Sequence, residues 1–122
     1  MTPRQFFHSH LERDVLIVEI RQPVGSLSAD EVMTELDLVL AEIKRASCHH
    51  VIIDFCQTAY FGSSLLEALR IIWNTVHAKP GRMILCNVSP IGNEILRVAK
   101  FDQLWPIAVG QDEALQSLQT PA

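Results

Sequence analysis

V-I-I-D-F-C-Q-T-A-Y-F-G-S-S-L-L-E-A-L, running from Val51 to Leu69, opens with a continuous apolar run of bulky and β-branched residues. Such a run from Val51 to Phe55 suits a strand buried on both faces. A loop follows, then Gly62-Ser63-Ser64, then apolar residues at helical spacing, which predicts a helix from Ser64 to about Ala78. At about 100° per residue, Leu65, Leu69, Ile72 and Val76 form its inward stripe. Leu66 and Trp73 fall on the flank, and Ile71 falls with Glu67 and Asn74 on the far side. A buried strand that delivers two hydroxyls to the start of a helix is a common way to present a site.

Outward from this stretch, strands and helices alternate. Gln5 to His10 and Val15 to Ile20 read as a hairpin around Leu11-Glu12-Arg13-Asp14. Arg21 to Leu27 is loop, and Ser28 with Glu31 three residues on is a capping box that opens a helix. Val32, Leu36, Val39, Leu40 and Ile43 share that helix's apolar face, while Glu35, Glu42 and Lys44 are read as its polar face. Lys79-Pro80-Gly81 stops the Ser64 helix. Met83 to Cys86 is a second buried strand, and Ser89-Pro90 starts a helix with proline in its first turn. Ile91, Ile95, Leu96, Val98 and Ala99 give that helix its apolar side. Pro106 to Val109 is a short strand, and Asp112 to Leu118 a last helix. The expectation is one small α/β domain over residues 1–122, a mixed, mostly parallel sheet of four to five strands flanked by about four helices.

At 122 residues the chain has the size of a single domain. No apolar run approaches the ~20 residues that span a bilayer, and the N-terminus has no sustained apolar segment of a signal peptide. A formal charge of −4 with ten scattered Lys and Arg argues against a nucleic-acid groove, and no membrane partner is expected. Cys48, Cys56 and Cys86 are odd in number and lie in or beside apolar segments, as expected of free buried thiols in a reducing cytoplasm.

The order of motifs resembles the STAS domain of anti-sigma-factor antagonists. In that family a strand ending in Asp leads to Asp-Ser-Ser-Gly-Leu at the start of a helix; here Asp54 and Ser63-Ser64 match, with Gly62 and Leu65 in place of the family's Asp and Gly. Gly25-Ser26-Leu27-Ser28 resembles its Gly-x-Leu-Asp, and Asn87-Val88-Ser89-Pro90 its Asn-x-Ser-Pro. Phe101 to Ile107 resembles Gly-Leu-Asp-x-Leu-Phe-x-Ile, and Glu113-Ala114-Leu115 its Glu-x-Ala. The resemblance covers nearly the whole chain. It implies a STAS-like sheet with helices on one side and a protein that works by binding partners. The implied partner is an anti-sigma factor that is also a serine kinase, or another signalling protein, and the implied phosphoacceptor is the second serine, Ser64, with Ser63 beside it.

Two readings of Ser64 stand side by side. A phosphate there would meet the free N–H groups of a helix N-terminus and load a binding surface with negative charge. Yet Ser64 and Glu67 also have the spacing of a capping box, and Gly62, Leu65 and the nearby charge of Glu67 favour the cap. The partner-binding candidates are Gly62, Ser63, Ser64, Leu66, Glu67, Arg70 and Ile71, together with Gly25, Ser26 and Leu27; self-association as a homodimer is a further expectation.

Other chemistry finds little support. Asp54 is expected to satisfy loop N–H groups, since a receiver-type phosphoacceptor needs an acidic pair after the first strand and only Glu19 is available. His8, His10, Cys48, His49 and His50 match no zinc spacing. No nucleophile elbow or glycine-rich phosphate loop is present. No catalytic residue, metal or cofactor is therefore expected. The remaining alternatives to a switched antagonist are an unphosphorylated scaffold subunit of a signalling assembly and a small-ligand or nucleotide-binding STAS domain.

Overall fold

The computed structural model of the chain describes residues 7–21, 29–45, 49–58, 61–79 and 81–119. Five strands form one sheet in sequential order: β1 (Phe7–Glu12), β2 (Val15–Ile20), β3 (His50–Asp54), β4 (Met83–Cys86) and β5 (Ile107–Ala108). β1 pairs antiparallel with β2, and the other pairs are parallel. The α1 (Ala29–Arg45), α2 (Ser63–His77), α3 (Pro90–Val98) and α4 (Gln111–Gln119) helices fill the intervals. The mixed, mostly parallel α/β architecture is the one the alternation of patterns predicts.

Both faces of the central strands are apolar, and both are covered. Leu16, Val18, Val51, Ile53, Met83 and Leu85 face a large core closed by α1, α2 and Leu96 of α3. Ile17, Ile52, Ile84 and Cys86 point the other way, onto Ala114 and Leu118 of α4. Helices therefore lie on both sides of the sheet, not on one. The alternation of strand side chains requires it, since residues such as Ile52 would otherwise face water.

Several local expectations are corrected. The hairpin turn is tighter than Leu11 to Asp14: Leu11 and Glu12 stay in β1, and Arg13 turns the chain with φ 59. Glu35 does not lie on a solvent face; it is buried and its carboxylate accepts the Phe7 amide at 3.1 Å. Glu42 accepts the Ser9 hydroxyl at 2.7 Å, so α1 grips the edge strand through two carboxylates. On α3 only Gly92 and Leu96 are buried, while Ile91 and Val98 are 56% and 73% exposed. That helix lies at the sheet edge, where β5 is two residues long and gives little surface to cover them. Cys56 is exposed, whereas Cys86 is buried. Gly25, Ser26, Leu27, the Ser28 cap and Cys48 lie outside the described residues.

Candidate functional site

Because β2 to β5 run parallel, their C-terminal ends share one edge, and the β3–α2 connection opens there. Phe55 leaves β3 with its amide on the Cys86 carbonyl and its ring 5.1 Å from that of Phe61. Thr58 ties the loop to the end of β2 by donating its hydroxyl to the Ile20 carbonyl at 3.0 Å. These buried anchors fix where the chain re-emerges at Gly62.

Gly62, not Ser64, is the N-cap of α2. Its carbonyl accepts the Leu66 amide at 3.3 Å, and among the described residues no side-chain cap bond is made. Ser63 and Ser64 are thus the first two helical residues, which overturns the capping-box reading of Ser64. A Cβ added at Gly62 would meet nothing within 4 Å, so glycine is not demanded by space. By contrast, α3 is capped as its sequence predicts: the Ser89 hydroxyl accepts the Gly92 amide at 2.9 Å, with Pro90 following.

Ser63 is exposed and Ser64 half-buried. Together with Val32 and Met33 of α1 and Glu67 of α2 they line an open depression of about 340 Å³. Of the other α2 candidates, Glu67 and Arg70 are exposed. Leu66, Ile71 and Trp73 are half-buried and pack against the main core. Ile71 therefore does not stand free on the far side; that face is a polar stripe of Ser63, Glu67, Arg70 and Asn74.

Asp54, 2% exposed, holds the edge together from beneath. One oxygen accepts the Cys56 amide and the Asn87 side-chain amide, each at 2.9 Å, and the other accepts Gln111 Nε2 at 2.5 Å. Burial raises the carboxyl, but the hydrogen bonds from Asn87, Gln111 and Cys56 outweigh it and hold it below its ordinary value. The bond to the loop amide is the role expected for Asp54. Its reach to β4 and α4 is not legible from its own neighbourhood. Asn87 carries a signal, since its φ of 57 is a conformation that asparagine tolerates; nothing in the sequence marks Gln111.

Glu19, Asp54 and Cys56 bring ligand-type atoms within 4.8 Å of one another. Both Asp54 oxygens already accept hydrogen bonds, and Glu19 is 3.1 Å from Arg21. Burial, then the charge of Asp54, raises the Cys56 thiol, and the same two causes push Cys86 up to about 12, so neither is a thiolate at neutral pH. The trio suits a hydrogen-bonded brace better than a cation site. At the other edge His50 Nδ1 accepts the Arg82 amide at 3.0 Å, engaging one of the histidines weighed for zinc.

A family model described as the STAS domain matches residues 9–114. A Bordetella bronchiseptica protein named as the anti-sigma factor antagonist BtrV is 22% identical over 106 residues, covering 87% of this chain and 88% of its own. An anti-sigma-factor antagonist STAS domain protein from Planctomyces limnophilus superposes with a TM-score of 0.78 at 26% identity, over 95% of this chain and all of its own. SpoIIAA in its unphosphorylated form gives 0.79 at 17% identity, over 95% of this chain and 98% of its own. The phosphorylated form of the Bacillus protein gives 0.70 at 17% identity, over 91% of this chain and 97% of its own.

Proposed function

The chain belongs to the STAS-domain family, and we propose that it is a cytoplasmic, single-domain signalling protein that acts by docking a partner on the edge formed by Gly62, Ser63, Ser64, Glu67 and Arg70. The partner is an anti-sigma factor, as the names of its antagonist relatives suggest, and it is also a serine kinase, as the resemblance of Asp54 and Ser63-Ser64 to the family's motif implies. Ser64 is the acceptor of a regulatory phosphate.

One observation carries this reading: Ser64 sits in the first turn of α2 without a capping role, beside an open depression. Among the described residues its hydroxyl makes no cap for the helix. Unpaired N–H groups of the first turn favour a phosphate at that position, and about two added negative charges would change which surfaces can dock. The solved phosphorylated form of SpoIIAA is in keeping with this reading. Binding rather than catalysis is the role, in keeping with Asp54, the carboxylate at the end of β3, being committed to three donors.

A second reading rests on Glu67, which lines the same depression as the two serines. A carboxylate that close opposes a phosphate, so the chain would then serve as an unswitched scaffold subunit. Capture from source-cell lysate by the wild-type chain and by Ser64→Asp separates the two. A kinase-type anti-sigma factor held by the wild type and lost by Ser64→Asp is the expected result. Equal capture of the same proteins by both forms would replace the switch with the scaffold.

A further inference from the structure

The fold sorts the charges of this molecule onto two opposite ends. At the C-terminal edge of the parallel strands, Asp30 and Glu31 occupy the first turn of α1, Asp112 and Glu113 that of α4, and Glu67 follows the serines of α2. All five are exposed. Of the described bases on that side, Arg21 is held by Glu19 at 3.1 Å, and Arg70 lies further along α2, three residues after Glu67. The opposite edge gathers Arg13 of the hairpin turn, Lys44 and Arg45 of the last turn of α1, Lys79, Arg82, and Lys100 beyond α3, against Glu12, Asp14 and Asp102. Each edge also leaves apolar side chains uncovered. Ile91 and Val109 are 56% and 80% exposed at the acidic end, and Val98 and Leu104 are 73% and 48% exposed at the basic end.

We propose that the basic edge of one copy docks on the acidic edge of another, head to tail. Both halves of the charge complementarity are present on one chain, and each half carries exposed apolar groups to bury. An interface of two different patches is heterologous, and it propagates unless the rotation closes a ring. Exposed ion pairs contribute little singly, so the association is weak, draws on several pairs at once and is screened by salt. A docked copy covers the Ser63–Ser64 edge, so self-association and partner docking exclude one another. The inference stands on charge placement and does not require Ser64 to be modified.

Sedimentation equilibrium of the wild-type chain tests it. The association constant is expected to fall by about tenfold or more between about 20 and about 300 mM salt. Glu67→Lys with Asp112→Lys spoils the acidic edge, and Lys44→Glu with Arg45→Glu spoils the basic one. Each double variant alone should self-associate at least about tenfold more weakly than wild type. An equimolar mixture should recover a complex, because one member keeps the basic edge and the other the acidic edge. Where a reversal lowers the thermal midpoint, Glu67→Gln with Asp112→Asn and Lys44→Gln with Arg45→Gln take its place. A wild-type chain that stays monomeric at low salt, an association indifferent to salt, or a mixture that forms no complex would each overturn the proposal.

Discussion

Asp54 gathers donors from its own loop, from β4 and from α4, and its ionisation is coupled to folding through them. Its folded carboxyl lies below the ordinary 3.8, so its contribution to stability is present above that pH and is lost as pH falls through the folded value. Asp54→Asn removes the charge and turns a donor toward other donors, at an expected cost of about 1–3 kcal/mol at neutral pH. In urea titrations the gap between the two proteins should narrow below about pH 4; a gap that stays constant or widens would contradict the assignment. The two serine positions make a second contrast. Ser89→Ala should cost about 1 kcal/mol, because its hydroxyl caps α3. Ser64→Ala should stay within about 0.5 kcal/mol, because no bond is lost. Thermal melts of the two variants decide this, and equal losses would restore the cap at Ser64.

At the scale of the elements, the strong patterns were readable and the one-residue offsets were not. Met83 to Cys86, with four apolar residues between turn signals, is the strand as predicted, and Ser89-Pro90 opens its helix where capping chemistry puts it. α2 shows the limit. Its inward stripe of Leu65, Leu69, Ile72 and Val76 is buried as the 3.6-residue period requires. Its cap lies two residues earlier than the capping box implies, since Ser64-Leu65-Leu66-Glu67 imitates that motif while the buried Phe55–Phe61 contact fixes the cap at Gly62. Periodicity also cannot say how wide the covered arc is. Ile71, a turn away from Glu67, is half-buried and packs against the core all the same. Ile71→Glu is accordingly expected to lower stability by about 1–3 kcal/mol in urea unfolding; an unchanged midpoint would place the residue back on the free surface. Likewise, Ile91 and Val98 read as core because the sequence does not reveal that β5 is too short to lie beneath them.

Over the whole molecule, the fold class followed from alternating strand and helix patterns, but the second helical layer did not. It depends on Ile17, Ile52 and Ile84 pointing away from α1 and α2, and a continuous apolar run conceals which face each residue takes. The candidate site was legible in outline, as two hydroxyls at the end of a buried strand and loop. Its brace of Asp54, Asn87 and Gln111 joins the end of β3, the loop after β4 and the start of α4, far apart in sequence, which no local signal connects. The consequence is a rigid edge: four parallel strand ends, held from beneath, present α2 with its serines outward. The most direct test of that account is amide chemical-shift mapping of the isotope-labelled chain titrated with the captured anti-sigma partner. Shifts are expected from Gly62 to Arg70 and in the first turn of α1, with the amides of Arg13, Lys44 and Arg82 undisturbed. Shifts centred on that opposite edge, with Ser63 and Ser64 unmoved, would contradict it.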